Sequence, residues 1–328
     1  MRPALRDFAW RGLRRVLPAL CALLLAPVAL AWPDKPVRFI VPFPPGGGTD
    51  AVARLLGQEL TKIWGQQVVV DNRAGAQGNI GTALGVKAPA DGYTLVLAHQ
   101  GVLTINAHLY DKMGFDPLKD LQPVARTNEQ PFVVVVHPNV AARSLRELTD
   151  LARRQPGKLS FGSSSSGPQM AGEMYKMAAG LNLLHVTYKG AGPALVDLLG
   201  GQIDMMFANP SSVAQHVRSG KLFALGVFGK KRIDALPDVP TAAEAGFASL
   251  GENPEWYGVA VPVGTPAAVV AKLGADIATA LAAPEVDKGF RTLGLTPSYA
   301  GPEEFGRQIR ADHEAWGKVV KAAGVKAE

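Results

Sequence analysis

The sequence predicts an α/β protein with mostly parallel sheets, flanked by helices and long enough for two lobes. Short apolar runs alternate with helical patterns along the chain, and this alternation is typical of parallel strands that are buried on both faces. Glycine-rich turns join several of these runs to the next helix. Such turns are common where α/β sheets bind ligands beyond the carboxyl ends of their strands.

The elements follow from local patterns. The predicted strands are 37–43, 66–71, 93–98, 132–137, 158–162, 183–188, 203–208, 222–228 and 256–262. Helices are predicted to begin near Thr49, Ile80, Ser144, Pro168, Pro193, Ser211, Thr241 and Pro266. Two of these starts carry a capping box, Ser144 with Glu147 and Thr241 with Glu244, in which side chains satisfy backbone N–H groups at a helix start.

The N-terminus has the pattern of a secretory signal peptide. Residues 1–15 hold five arginines and one aspartate, residues 16–30 are apolar, and Ala29-Leu30-Ala31 supplies the small residues of a cleavage site. An uncleaved membrane anchor is the alternative, but the apolar run is shorter than the roughly 20 residues that a spanning helix needs. We therefore predict cleavage after Ala31 and a periplasmic protein. Arg14-Arg15 leaves the twin-arginine route open beside the general one.

Removing residues 1–31 changes the composition. It leaves 29 of the 34 basic and 27 of the 28 acidic residues, a net charge near +2 instead of +6. The remainder has no Lys/Arg cluster of the kind that binds nucleic acids, so we expect no nucleic-acid partner. The single cysteine, Cys21, leaves with the leader, which excludes disulfides and thiolate metal sites from the mature chain.

The first glycine-rich turn matches part of a dinucleotide-binding motif. Gly46, Gly48 and Ala51 fit the dinucleotide pattern G-x-G-x-x-A, and Asp71 ends the next apolar run about 20 residues on. Pro44-Pro45 argues against a dinucleotide, because two residues with fixed φ and no N–H stiffen the turn. We therefore disfavour a dinucleotide at this turn, and an exported NAD(P)-dependent oxidoreductase is the alternative function that a dinucleotide would indicate.

Motifs for catalysis or metal binding do not match. Ser166 replaces the second glycine of a nucleophile elbow, and Pro168-Gln169 replace the Lys-Ser/Thr of a Walker loop. The histidines, at 99, 108, 137, 185, 216 and 313, show no spacing that places two metal ligands on one helix face. We therefore expect neither an enzyme nor a metal or cofactor.

Three further turns, "DNRAGAQGNIG", "FGSSSSGPQ" and "YKGAGPA", also lead from a strand to a helix. Their glycines let backbone N–H groups approach a ligand closely, and helix N-termini favour negative charge. One such turn is an ordinary connection, but four of them, two in each half of the chain, predict an anion site between two lobes. No lysine or arginine lies within 43–50 or 162–169, so neutral N–H groups are expected to make the contact.

Seven motifs together resemble the Bug family, the extracytoplasmic solute receptors of tripartite tricarboxylate transporters. They are "PFPPGGGTD" at 42–50, "NRAGAQGNIG" at 72–81, "DGYT" at 91–94, "YKGAGPALVDLLGGQID" at 188–204, "GKLFALGV" at 220–227, "LPDVPTAAEAG" at 236–246 and "WYGVAVPVGTP" at 256–266. The resemblance runs in order from about Trp32 to the C-terminus. Ala74 and Gln77 stand where the family usually has proline and glycine, which bears on the ligand preference.

The resemblance implies a two-lobe periplasmic-binding-protein clamshell of type II with a two-crossing hinge. The first lobe would comprise 32–130 plus 253–328, and the second 131–252. A small organic acid would be held largely by backbone N–H groups of the turns 43–50 and 188–192. The implied partners of this monomeric receptor are integral-membrane transporter subunits. A ligand-sensing partner of a membrane signalling protein would use the same fold, so that function is also open.

The predicted ligand-binding residues lie in the glycine turns and near strand ends. Those in the turns are Phe43, Gly46, Gly47, Gly48, Thr49, Asp50, Gln77, Gly167, Tyr188, Gly190, Ala191 and Gly192. Those near strand ends are His99, Gln100, Ser163, Ser164, Gln169 and Asn209. Lys189 is the one cationic side chain beside a turn. A position in solvent suits this side chain as well as a contact with the ligand does.

Overall fold

The structure, a computed structural model, describes residues 32–251 and 254–326, so the predicted signal peptide lies outside the described residues. All of the following elements belong to the unit Lys35–Glu328. The strands are β1 (Val37–Val41), β2 (Val68–Asn72), β3 (Thr94–His99), β4 (Leu121–Gln130), β5 (Phe132–Val136), β6 (Ser160–Ser163), β7 (Leu184–Thr187), β8 (Met205–Ala208), β9 (Phe223–Phe228), β10 (Glu255–Pro262) and β11 (Thr296–Ala300).

The α-helices are α1 (Gly48–Trp64), α2 (Asn79–Val86), α3 (Asn106–Leu109), α4 (Leu145–Arg154), α5 (Ser166–Ala179), α6 (Ala191–Leu199), α7 (Pro210–Arg218), α8 (Ala267–Ala282), α9 (Pro284–Thr292) and α10 (Pro302–Ala323). A 3-10 turn, Ala76–Gly78, precedes α2, and a π-helical segment, Gly101–Ile105, precedes α3. Within the described ranges, no single helix is long and apolar enough to cross a membrane, although α8 and α9, bent by 71° from each other, pass that test as a pair.

Two sheets form the centres of the two lobes. The first lobe has a six-stranded sheet in the order β11-β4-β10-β3-β1-β2, and the second has a five-stranded sheet in the order β7-β6-β8-β5-β9. The chain passes from the first sheet to the second between β4 and β5 and returns between β9 and β10. The predicted two-lobe α/β fold class is therefore confirmed.

The sheets are mixed, which corrects the expectation of mostly parallel sheets. β1 pairs in parallel with β2 and β3, and β6 pairs in parallel with β7 and β8. The strands at the crossings are antiparallel to their neighbours, because β4 leaves the first sheet and β10 returns to it beside β4. β5 and β9 form the same kind of antiparallel pair in the second sheet.

Strand β5 shows why the apolar runs become central strands. All five of its residues are buried. Phe132, Val134 and Val136 pack with residues of α4 and α5 on one face of the sheet. Val133 and Val135 pack with residues of α6 and α7 on the other face. A strand covered by helices on both faces has no polar side, so its sequence is apolar throughout.

Two elements that the sequence did not predict, β4 and β11, contain proline and polar residues. β4 reads LQPVARTNEQ, with only part of its residues buried, and β11 reads TPSYA. β11 is an edge strand that pairs only with β4, and proline is tolerated at a sheet edge. The sequence also did not predict α3, α9 and α10.

The helix predicted near Thr241 is a short series of turns instead. Its capping box does form, because the Thr241 N–H donates to Glu244 and the Glu244 N–H donates to Thr241 Oγ1 at 3.1 Å. Gly246, with φ of 95°, then ends the turn. The capping signal was present, but glycine in the left-handed region stopped a helix after one turn.

Candidate ligand-binding site

The glycine turns of the two lobes face each other at close range. The turn between β1 and α1 contains Pro44, and the turn between β7 and α6 contains Gly190. A Cβ added at Gly190 would lie 2.7 Å from Pro44 Cδ, and one added at Gly47 would lie 4.0 Å from Ala191 Cβ. The lobes therefore meet here through glycine backbone, and the structure is closed.

A small cavity lies between the lobes at this contact, with a volume of ≈ 20 Å³. That is room for about one water molecule. Its lining residues are Phe43, Pro44, Gly47, Gly48, Thr49, His99, Ser164, Ser165, Ala191, Asn209, Ser212 and Tyr257. None of them carries a cationic lysine or arginine side chain, so an anion here would be contacted by neutral groups.

Helices of both lobes begin at the cavity without a side-chain cap. The N-cap residues of α1, α6 and α7 are Gly47, Gly190 and Asn209, and none caps its helix with a side-chain hydrogen bond. At α4, by contrast, Ser144 accepts from the Glu147 N–H at 3.2 Å. The first N–H groups of a helix have no partner within it, and the helix dipole favours an anion at that end.

Asp50 holds the first turn in place and is paired with Arg54 within its own helix. Gly46 N–H donates to Asp50 Oδ2 at 3.0 Å, and Arg54 Nη2 lies 2.9 Å from Asp50 Oδ1. Burial raises the pKa of Asp50, but the bonds from Arg54 and Gly46 outweigh it and leave the pKa below its ordinary value. The Gly46 N–H, predicted to hold the ligand, is thus used within the turn.

His99 forms an aromatic wall of the cavity. Its ring stacks on Tyr257 with centroids 5.0 Å apart and lies 4.7 Å from the ring of Phe43. Burial lowers the pKa of His99 to about 3, so the ring is neutral at pH 7. Gly101 N–H donates to Nδ1 at 3.1 Å, which leaves the proton on Nε2, 3.4 Å from Glu255 Oε1.

Glu255 is the main feature of this site that the sequence analysis missed. It is the first residue of β10 in the first lobe and is 0 % exposed. Asn209 of the second lobe donates to its Oε2, and so does Gln130 Nε2 at 3.2 Å. Burial raises the pKa of Glu255 to about 7, against hydrogen bonds from Asn209, Tyr257 and Gln130 that lower it. The sequence signal that could have revealed Glu255 is an acidic residue at the start of an otherwise apolar strand.

The remaining predicted residues divide between the lobe interface and the lobe interiors. Gln77 Nε2 donates to Gln169 Oε1 across the lobes at 3.4 Å, and Gly167 lies against Glu255. Within a lobe, Ser163 bonds His185, Gln100 bonds Pro254 and Asp312, and Tyr188 donates to Asp197. Gly192 and Lys189 are exposed.

The structure brings together eight predicted residues at the cavity: Phe43, Gly47, Gly48, Thr49, His99, Ser164, Ala191 and Asn209.

Residues 52–325 match the family described as tripartite tricarboxylate transporter family receptor. Protein BugT of Bordetella pertussis is 37% identical over 307 residues, which cover 92% of this chain and 94% of that protein.

Three solved structures share the fold over most of both chains. R. palustris Rpa4515 with adipate is 33% identical with a TM-score of 0.87, covering 90% of this chain and 99% of the other. The periplasmic binding protein BugD is 34% identical with a TM-score of 0.86, covering 90% and 100%. MatC from Rhodopseudomonas palustris with bound malate is 30% identical with a TM-score of 0.83, covering 88% and 100%. The chain belongs to the receptor family of tripartite tricarboxylate transporters.

Proposed function

We propose that this chain is a periplasmic receptor that captures a small carboxylate-containing solute between its lobes and delivers it to integral-membrane transporter subunits. The observation that carries the proposal is the pair of uncapped helix N-termini, α1 and α6, which begin at the cavity from opposite lobes. Backbone N–H groups and helix dipoles hold a carboxylate without a cationic side chain.

The relatives support the ligand class. Rpa4515 was solved with adipate and MatC with malate, and both ligands are carboxylates. The family description names a transporter receptor, which supports a membrane transporter as the partner. BugD is a periplasmic binding protein, which supports export of this chain. The proposed cleavage after Ala31, with Trp32 as the first mature residue, is based on the sequence of the leader.

We propose the lobe boundaries 32–130 plus 253–328 and 131–252, with the two crossings as hinges, and a monomer without enzymatic activity. The ligand-binding residues would be those at the cavity, with Gly190 needed for the approach of the two turns. Asp71, the acidic residue of the dinucleotide pattern, is paired with Arg38 at 2.7 Å and Arg73 at 2.8 Å. This pairing favours the carboxylate receptor over the oxidoreductase.

Thermal unfolding with a panel of mono- and dicarboxylates tests the proposal. A ligand at one hundred times its Kd stabilises the native state by roughly 2.7 kcal/mol. For a protein of this size we expect the Tm to rise by about 5 °C. NAD(P)H at millimolar concentration is the matched control for the alternative function, an oxidoreductase. It should leave the Tm unchanged. A shift with NAD(P)H and none with any acid would contradict the receptor function.

A further inference from the structure

The carboxyl group of Glu255 lies where helix α5 of the opposite lobe begins. Ser166 and Gly167 are the first two residues of α5. A Cβ added at Gly167 would lie only 2.5 Å from Glu255 Oε1, so any other residue there would displace the carboxyl group. The first lobe thus inserts an acid of its own at a helix N-terminus of the second lobe, the place at which a helix favours an anion.

The polar groups around Glu255 are buried, and two of their atoms lack hydrogen-bond partners. Asn209 and Gln130 both donate to Oε2. Within the described part of the chain, Ser166 Oγ and Glu255 Oε1 are buried without a hydrogen bond, although His99 Nε2 lies 3.4 Å from that Oε1. Among the residues that the structure describes, the titratable side chains that face Glu255 are His99 from β3 and Tyr257 from its own strand. Burial lowers the pKa of His99 to about 3 and raises that of Tyr257 well above 10. Both are therefore neutral near pH 7, and neither offsets a negative charge on Glu255.

Glu255 does not line the cavity, but it contacts side chains that do. Three residues that line the cavity contact it, namely His99, Asn209 and Tyr257. Ser165, the N-cap of α5, also lines the cavity. The cavity therefore lies beside a buried acid and also beside the N-termini of α1 and α6. A ligand with one carboxylate at α1 and α6 would have Glu255 close to the rest of the molecule.

We propose that Glu255 determines specificity by taking the place of a second ligand carboxylate at the α5 N-terminus. The receptor then selects monocarboxylates whose far end is uncharged over dicarboxylates of the same length. A second carboxylate would meet a like charge at a site shielded from water, where such repulsion is stronger than in solution. This inference rests on the proposed function, because it assumes that one carboxylate binds between the lobes.

Calorimetric titration with isosteric pairs tests the inference. The pairs are succinate with succinamate, glutarate with its monoamide, and adipate with its monoamide, all at pH 8. We expect the monoamide of the best-fitting length to bind at least tenfold more tightly than its diacid. Glu255→Gln removes the charge and should reduce this ratio at least tenfold. Glu314→Gln, the same change at an exposed position of α10, should keep the ratio of the unchanged protein.

The pH dependence of the unchanged protein gives a second readout that does not depend on whether Glu255→Gln folds. Glu255 ionises as the pH rises through about 7. The second carboxyl of a short diacid has a pKa about one unit above that of a lone carboxyl, so the affinity of each diacid is calculated for its fully ionised form at every pH. The monoamide-to-diacid preference should therefore increase between pH 6 and pH 8.5. A diacid that binds as tightly as its monoamide at pH 8, or a preference independent of pH, would overturn the inference. If no acid of either series binds, the proposed function itself fails.

Discussion

At the scale of single residues, glycines decide how closely the lobes approach. Gly190 has an extended φ of 167°, which any residue adopts, so its importance lies in the space beside it. That space is filled by Pro44 of the opposite lobe. Gly192, two residues along, has no atom within 4 Å of an added Cβ. The two positions therefore form a matched pair for mutation.

We expect Gly190→Val to weaken binding of the acid at least about a hundredfold, since a side chain there would hold the lobes apart while each lobe folds normally. Gly192→Val should bind within about threefold of the unchanged protein. Lys189→Ala should change affinity little, because the lysine is exposed. Calorimetric titration measures all three. Equal affinity of Gly190→Val and Gly192→Val would show that closure at Pro44 is not needed for binding.

At the scale of elements, we propose that the helix N-termini make the contact with the anion. A carboxylate should bind at least tenfold more tightly than its neutral primary amide, since hydrogen bonds from N–H groups to a charged acceptor are roughly twice as strong as neutral ones. Butanoate with butanamide and benzoate with benzamide are suitable pairs for calorimetry. An amide that binds as well as its acid would rule out the helix dipoles as the basis of recognition.

Elements whose signal is local were predictable from the sequence. The apolar strands and the glycine turns were found because burial on both faces and a tight turn each leave a mark within a few residues. β4 was missed because Pro123 and its polar residues, which pair with the crossing strand β10, read as a loop. Glu255 was missed for a different reason. Its partner Asn209 lies 46 residues away in the other lobe, and no local pattern reports a contact made only when two lobes close.

At the scale of the whole molecule, the closed cleft requires a change of shape for binding. A cavity of ≈ 20 Å³ cannot admit an organic acid unless the lobes separate. A small apolar cluster also spans the lobes, in which Met170 of α5 packs with Ile105, Leu109, Trp316 and Val320 of the first lobe. Opening the cleft at the hinges would have to separate or shift these contacts.

Small-angle scattering should detect this change. We expect the free receptor to be mostly open in solution, unlike the closed form described here. Its radius of gyration, about 19 Å for a chain of this length, should then fall by a few per cent when a tightly bound acid saturates the protein. Gly190→Val should keep the larger value at every ligand concentration. An unchanged radius in a sample that calorimetry shows to be saturated would argue against lobe closure.

The glycine contacts between the lobes also limit what a partner can detect. At Gly190 the ring of Pro44 meets the backbone of the opposite lobe, and neither group can adjust as a long side chain does. Closure therefore has a fixed end point, and a poorly fitting solute changes the fraction of molecules that reach it, not its geometry. To shift that fraction from 1:99 to 99:1, a solute must bind the closed form about 10⁴-fold more tightly than the open form. A transporter that recognises only the closed form would thus respond to the fraction of receptors that are closed. Its response would not depend on which solute they hold.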